Sequence, residues 1–210
     1  MKNILFSCIA MFFFCISHVF ILGCVSRSPS SKFYTLTTIQ KTETQQPAEE
    51  SLSRISVKLV PVDIPDYLDR PQIITRKAKN QLKRAEFDRW GGSLKENIYT
   101  VLRENLSVLL SAEKAAVLFW ESPANYEYRL TVKIIRFEAM PRGTVQLKAR
   151  WTILEEKGKK IVSSREASFD ETIDGQGYAE IVGAMSTALE ALSRQIAKEI
   201  ISLVHYASER

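Results

Sequence analysis

The sequence predicts a mixed α/β domain, a layered sandwich in which a largely antiparallel sheet packs against two main helices. Three observations predict this fold. Apolar and polar residues alternate over most of residues 126–169, as in adjacent strands with one buried face. Apolar residues recur at helical spacing after Tyr178, and a helix-start signature stands at Ser93. The sequence shows no internal repeat, so we expect these elements to share one core.

Short strands are predicted in the first half of the domain. Residues 33–37 are rich in strand formers, and apolar residues alternate with polar ones over residues 55–62. Residues 72–75 and 83–90 are predicted as two further strands. Prolines between the second and third strands block regular pairing and hold an extended, bent segment. These are Pro61, Pro65 and Pro71.

The first helix is predicted to follow the pair Gly91-Gly92. Ser93 and Glu96 have the spacing of a capping box, in which the serine side chain accepts a hydrogen bond from the N–H three residues later. A short buried strand is then predicted at residues 117–120. The residues expected on one face of the helix are Leu94, Ile98, Val101, Leu102, Asn105 and Leu109.

Three strands and a final helix complete the predicted domain, and the third strand, residues 161–169, is predicted to pair back on the second. Alternation that begins at Tyr126 shifts by one residue at Ile134-Ile135, which indicates a β-bulge, and the inward residues beyond it are predicted to be Ile135, Phe137 and Ala139. Turns are predicted at residues 141–143 and 156–159. The inward face of the strand between these turns is predicted to be Val145, Leu147, Ala149, Trp151 and Ile153. The buried stripe of the last helix is predicted to be Tyr178, Ile181, Met185, Leu189, Leu192, Ile196 and Ile200.

The N-terminus has the pattern of a bacterial lipoprotein signal. Lys2 precedes an apolar stretch that ends in Gly23-Cys24, where a small residue and a cysteine mark the cleavage and lipidation site. We therefore expect a signal peptide at residues 1–23, a lipidated tether at 24–32 and one periplasmic domain at 33–210. The alternative is an uncleaved anchor, because an apolar stretch of about 19 residues can span a bilayer.

The inventory of reactive side chains excludes several classes of site. The three cysteines are Cys8, Cys15 and Cys24, so the mature domain would contain no cysteine beyond the lipidated one. His205 would be its only histidine. Zinc sites built from His and Cys, and Ser-His-Asp or Cys-His nucleophiles, are therefore not expected. We expect no metal and no cofactor, and the compartment disfavours nucleic acid as a partner.

Basic residues cluster at residues 76–84, Arg-Lys-Ala-Lys-Asn-Gln-Leu-Lys-Arg. One interpretation is a solvated hairpin or strand edge that is protected by its charge. The other is a contact with anionic lipid headgroups or with an acidic partner.

Acidic residues recur every third position in the proline-rich segment, at Asp63, Asp66 and Asp69. In a structural role they would accept backbone hydrogen bonds in turns, or pair with Arg70 or Arg76. A Ca²⁺ site on these carboxylates is an alternative, although the glycine and bidentate glutamate of known calcium loops are missing. A hydrolase that uses Asp66 and Asp69 is a second alternative, and it would need their pKa values pushed apart.

The same segment carries a family resemblance. Its residues 65–72, Pro-Asp-Tyr-Leu-Asp-Arg-Pro-Gln, are followed by Thr75-Arg76, and the sequence has an early Phe33-Tyr34-Thr35-Leu36 and a later Arg89-Trp90. In these features the chain resembles the ABC-type transport auxiliary lipoproteins, the family of paraquat-inducible protein C. The resemblance implies a non-enzymatic subunit that accompanies MCE-domain proteins and ABC-type transporter components in lipid transport between membranes.

The resemblance also implies a place and a mode of assembly. The subunit would dock the transporter at the outer membrane from its periplasmic face, and a homo-oligomeric ring is a further expectation. Val25 is not the aspartate that retains many lipoproteins at the inner membrane. Tyr67 and Arg70 are the expected anchors, since aromatics and arginines dominate interface energetics. The predicted partner-binding residues are Asp66, Tyr67, Leu68, Asp69, Arg70, Gln72 and Arg76. A lipoprotein that regulates or assembles another envelope complex remains the alternative function.

Overall fold

The computed structural model describes residues 29–40, 55–113, 115–157 and 159–208. The predicted signal and the lipidation site Cys24 lie outside these residues. The compact unit that begins at Ser31 contains all the elements of the described residues. They are β1 (Lys32–Tyr34), β2 (Ile55–Leu59), β3 (Gln72–Ala78), β4 (Gln81–Trp90), α1 (Leu94–Leu110), β5 (Ala115–Leu118), β6 (Tyr128–Met140), β7 (Thr144–Glu155), β8 (Lys160–Thr172) and α2 (Tyr178–Ser208).

The strands form one mixed sheet around β6. One edge of β6 pairs along its whole length with β7, which in turn pairs with β8, and both pairings are antiparallel. The other edge of β6 is shared: β2 pairs in parallel near Tyr128, and β3 pairs in parallel at Ala139. Beyond them lie β5 on one side and β4 with β1 on the other. The predicted mixed α/β class is confirmed, and the longest pairings are antiparallel.

The long strands follow the predicted pattern. The register between β6 and β7 shifts between Ile134 and Arg136, where the sequence indicates a bulge. Gly143 takes a positive φ of 76° in the β6–β7 turn, a conformation that glycine adopts without strain. All five predicted inward residues of β7, from Val145 to Ile153, are buried.

The two helices cover one side of the core. Ser93 caps α1, because its Oγ accepts a hydrogen bond from the Glu96 N–H at 3.3 Å. The buried row of α1 continues to Leu110, not to the predicted Leu109, which is half-buried. Residues four apart stack on one face of a helix, and that row is Leu94, Ile98, Leu102, Leu106 and Leu110. In α2 the predicted stripe is buried from Met185 to Ile200 and half-buried at its first two residues.

The first strand is shorter than predicted because helix side chains accept hydrogen bonds from the backbone that follows it. β1 ends at Tyr34. Beyond it, the N–H of Leu36 donates to Asn97 Oδ1 at 2.7 Å, and the N–H of Ile39 donates to Asn105 Oδ1 at 2.9 Å. Helix side chains therefore take the hydrogen bonds that a neighbouring strand would have made.

The prediction of a buried strand at residues 117–120 is wrong in its second half. β5 ends at Leu118, and Phe119 and Trp120 are 42% and 43% exposed. The chain turns here, since the N–H of Ser122 donates to the Phe119 carbonyl at 3.1 Å. The apolar run therefore reports a strand end followed by a surface turn.

Candidate partner-docking site

The segment between β2 and β3, residues 60–71 (the crossover segment), runs along the edge of β6 that these two strands share. The backbone of Asp63 bonds to β6 twice: its N–H donates to the Val132 carbonyl at 3.0 Å, and its carbonyl accepts from the Ile134 N–H at 2.8 Å. The Asp63 carboxylate also pairs with Lys133 Nζ at 2.9 Å. The prolines prevent a continuous strand, but this single bridge fixes the path of the segment.

A tight turn at residues 65–70 (the docking turn) presents the middle of the predicted motif. The N–H of Leu68 donates to the Pro65 carbonyl at 2.9 Å, and the N–H of Arg70 donates to the Leu68 carbonyl at 2.8 Å. The Leu68 side chain is 2% exposed and belongs to the core. It anchors the turn from below. The exposed side chains of the turn are Asp66, Asp69 and Arg70.

A buried carboxylate holds this turn to the sheet. Glu138 of β6 has no exposed surface, and three side chains surround it (the Glu138 cluster). The Tyr67 hydroxyl donates to Glu138 Oε2 at 2.5 Å. Arg76 donates to Oε1 through Nε at 2.7 Å and lies 2.6 Å from it through Nη2. The Arg136 Nε lies 3.7 Å from the same oxygen.

The Glu138 cluster satisfies the requirement that a buried charge be paired and hydrogen-bonded. Charge-assisted hydrogen bonds of this kind are short and strong. Burial, and then the hydrogen bond to Glu138, raise the pKa of Tyr67 above its usual value, so its hydroxyl remains a proton donor. Because Arg76 lies in β3, the cluster joins the docking turn, β3 and β6 in one arrangement.

Sequence reasoning missed Glu138. The predicted phase of β6 puts Phe137 inward and Glu138 outward, and the structure buries both. One face of the strand lies on the core, and Tyr67 and Arg76 cover the other. An acidic residue within an apolar strand is a signal that could have indicated a buried, paired carboxylate at Glu138. Its partners, however, lie 71 and 62 residues away in the sequence.

The structure divides the predicted partner-binding residues into two groups. Leu68 is buried, and Tyr67 and Arg76 are engaged with Glu138. Gln72 is half-buried at the start of β3, where it lies opposite Arg89 of β4. The side chains left to meet another molecule are Asp66, Asp69 and Arg70. Partner binding by any of them stays a prediction.

A shallow cavity of ≈ 340 Å³ adjoins the docking turn. Its walls are Asp69, Arg70 and Pro71 on one side and residues 90–94 at the start of α1 on the other. The N–H of Trp90 donates to the Pro71 carbonyl at 2.7 Å, which fixes the two walls to each other. The turn and the start of α1 therefore form one continuous, rigid surface.

The carboxylates of the crossover segment do not form a cluster. Asp63 is paired with Lys133. Across the described ranges, with gaps at 41–54, 114 and 158, no three His, Cys, Asp or Glu side chains are placed to hold a metal ion. The calcium alternative therefore has no support from the geometry of Asp63, Asp66 and Asp69.

The basic residues at 76–84 form the β3–β4 hairpin, as one of the two interpretations predicted. The predicted strands at 72–75 and 83–90 are both longer, because they continue into this hairpin as Gln72–Ala78 and Gln81–Trp90. None of the helices in the described part of the chain is long and apolar enough to cross a membrane.

The model of the family described as the ABC-type transport auxiliary lipoprotein component matches residues 34–197. This match spans well over half of the chain, so the chain belongs to that family. The resemblance indicated by the Tyr-Leu-Asp-Arg-Pro block is confirmed.

Solved structures confirm the fold. A crystal structure of an uncharacterized protein is similar with a TM-score of 0.68 at 20% identity, covering 82% of this chain and 99% of the other. The crystal structure of protein XCC0632 from Xanthomonas campestris, of the family DUF330, is similar with a TM-score of 0.69 at 15% identity. That alignment covers 86% of this chain and 100% of the other. A comparison with curated proteins found no match.

Proposed function

We propose that this chain is a lipid-anchored, non-catalytic subunit of an MCE/ABC-type intermembrane lipid transport system. In this role it docks the transporter at the periplasmic face of the outer membrane, with Cys24 as its lipidation site. The family match supports the transport role, and the predicted signal supports the lipid anchor. The absence of aspartate after Cys24 supports sorting to the outer membrane. A ring of identical subunits belongs to the same proposal.

The docking turn is the proposed contact with the transporter. One observation supports this assignment: the turn presents exposed charges, and buried contacts with the rest of the domain hold its backbone in place. Asp66, Asp69 and Arg70 face outward, while Leu68 and the Glu138 cluster hold the turn in place. Preorganisation of this kind lowers the entropy lost on binding. We expect the partner surface to carry basic groups opposite Asp66 and Asp69 and an acidic group opposite Arg70.

This geometry separates the roles of the two expected anchors. Arg70 is exposed and free of the Glu138 cluster, so it is the proposed contact residue. Tyr67 supports the turn from within through its hydrogen bond to Glu138. Arg70→Ala should therefore weaken binding without loss of stability, whereas Tyr67→Ala should weaken both.

Co-purification from detergent-solubilised membranes tests the proposal. The tagged protein is expected to recover an MCE-domain protein and transporter components. Arg70→Ala should weaken this association by about 1–3 kcal/mol, the range of an interface anchor. Arg194→Ala is the matched control, since Arg194 is an exposed arginine of α2 that pairs within its own helix with Glu190. Its complex should be unchanged.

One outcome would contradict this function, and a second would contradict only the assignment of the docking turn as the contact. Recovery of a different envelope complex would favour the alternative, a lipoprotein that regulates or assembles another machine. Recovery of the transporter by Arg70→Ala at the wild-type level would remove the docking turn from the interface, while leaving the transport role intact.

A further inference from the structure

The tip of the β3–β4 hairpin is a surface of single charge. From Arg70 to Ala85 the sequence contains no acidic residue. Four exposed cations occupy the tip, on the last residues of β3, the turn and the first residues of β4. They are Lys77, Lys79, Lys83 and Arg84. We refer to residues 77–84 as the basic tip.

These four cations have no acidic partner among the described residues, in contrast to Arg76 at the base of the tip, which is bound to Glu138. Leu82 is 39% exposed between them. An apolar side chain among unpaired cations is a combination suited to a surface that offers both anionic headgroups and a hydrocarbon boundary.

The cations lie on both faces of the hairpin. Lys83 is opposite Thr75, and Arg84 is opposite Ile74, the preceding residue of β3. Because side chains of adjacent strand residues point to opposite faces, these two cations project in opposite directions. A flat protein surface would meet one face of the hairpin, whereas a plane of headgroups that the tip enters end-on meets both.

The direction of β1 places the basic tip on the side from which the chain enters the domain. β1 runs parallel to β4, with Lys32 opposite Asp88. β4 runs from the tip at Gln81 toward Trp90, so Lys32 is the end of β1 that is nearer the tip. From Asp88 back to Gln81 is about 24 Å in an extended strand. The chain from Cys24 to Lys32 can span up to about 29 Å. A lipid on Cys24 and the basic tip can therefore reach one membrane surface.

We propose that the basic tip is a contact site for an anionic phospholipid membrane, a second attachment beside the proposed lipid anchor at Cys24, on which this inference rests. Each lysine or arginine near an anionic surface contributes about a fivefold gain in affinity, and the gain falls off within a Debye length. The contact orients the domain on its membrane. This assignment does not depend on which transporter the protein serves.

Depth-dependent fluorescence quenching tests the contact in the whole membrane-attached protein. A fluorescent amino acid replaces Asn80 at the tip or, as the matched control, Asn125 in the exposed loop before β6. β3 and β6 are parallel, so this loop lies at the opposite end of the sheet from the tip. The protein is reconstituted in vesicles that carry a headgroup quencher. They are made of phosphatidylcholine alone or with about 30% phosphatidylglycerol, which supplies the negative surface potential.

We expect stronger quenching at position 80 than at position 125 in the vesicles that contain phosphatidylglycerol. The difference should disappear in phosphatidylcholine alone and in salt of about 0.5 M, where the Debye length is only a few ångströms. The double variant Lys77→Gln, Lys83→Gln should lower the equilibrium constant for contact between the basic tip and the vesicle surface about 25-fold. The control Lys157→Gln, Lys160→Gln changes two exposed lysines at the other end of the sheet, one in the β7–β8 turn and one at the start of β8, and should leave this constant unchanged.

Equal quenching at the two positions in the vesicles that contain phosphatidylglycerol would overturn the proposal. Quenching at position 80 that does not change with lipid charge, with salt or with the Lys77 and Lys83 substitutions would also overturn it. An unquenched tip that crosslinks to a protein in intact cells would also overturn it, and would make the basic tip a site for an acidic protein. In each case the result of the transporter co-purification is unaffected.

Discussion

Replacing Glu138 with alanine is expected to destabilise the domain strongly, because it leaves two partly buried groups without their partner. Arg76 loses the carboxylate that it contacts through two nitrogen atoms, and the Tyr67 hydroxyl loses its acceptor. Breaking a buried pair by removing one member costs about 3–5 kcal/mol. The Arg76 side chain is 14% exposed, so partial access to water favours the lower end of that range.

The expected change is measurable as a shift in melting temperature. In a domain of this size each kcal/mol shifts Tm by about 2–4 °C, so a loss of about 3 kcal/mol lowers Tm by about 6–12 °C. Thermal unfolding of the purified protein, followed by tryptophan fluorescence, measures this shift. Tyr67→Phe removes one hydrogen bond to a charged group and should cost about 1.5–3 kcal/mol.

Glu166→Ala is the matched control. Glu166 also contacts two cations, Lys148 and Arg150, but on the exposed surface of the sheet. Exposed ion pairs contribute little to stability, so its Tm should change far less. The double variant Glu138→Ala, Arg76→Ala should be less destabilised than the sum of its single variants, because the stranded cation is gone.

Two results would refute this account of the Glu138 cluster. One is a Tm for Glu138→Ala that equals that of Glu166→Ala, which would mean that the Glu138 cluster contributes no more to stability than an exposed ion pair. The other is strict additivity of Glu138→Ala and Arg76→Ala. Additivity would show that the two side chains contribute independently despite their contact.

Two further perturbations have definite expected outcomes. Asn105→Ala leaves the Ile39 N–H without its acceptor and should lower the free energy of unfolding, measured in urea, by about 2–3 kcal/mol. The control Asn80→Ala, at an exposed position, should leave that free energy unchanged. Equal losses in the two variants would contradict this prediction. The hydrogen bond to Asp88, and then burial, raise the pKa of Tyr34 from 10.0 to about 12. Its stabilisation is therefore complete below pH 10 and lost as pH rises through 12. The stability difference between wild type and Tyr34→Phe should shrink over this interval, and a constant difference would exclude the linkage.

Local patterns predicted the parts of the fold that local physics determines. The inward residues of β7 alternate without interruption, and one face of that strand lies on the core from Val145 to Ile153. The bulge in β6 was visible as a one-residue change of phase at Ile134. Ser93 capped its helix as the spacing indicated. In each case the decisive interaction joins residues that are close in the sequence or repeat at a regular interval.

The errors arose where a distant side chain replaced the expected partner. The strand formers after Tyr34 leave the sheet because Asn97 and Asn105, more than 60 residues away, accept their backbone hydrogen bonds. Trp120 comes to the surface, where its backbone N–H donates to the Tyr99 hydroxyl. Periodicity assigns a residue to a face but does not say what covers that face.

The motif from Pro65 to Arg76 shows why recognising a family segment does not by itself define a contact surface. Part of its specificity has an internal cause, since Tyr67 and Arg76 fit Glu138, and Leu68 fits the core. These residues would be required in the fold even if nothing ever docked there. The outward group of Asp66, Asp69 and Arg70 has no such internal explanation in the described part of the chain. Binding to a partner must therefore be tested at these exposed positions, with Tyr67 as the variant that reveals loss of structure. A defect in Arg70→Ala at unchanged Tm would be the first sign of a true interface.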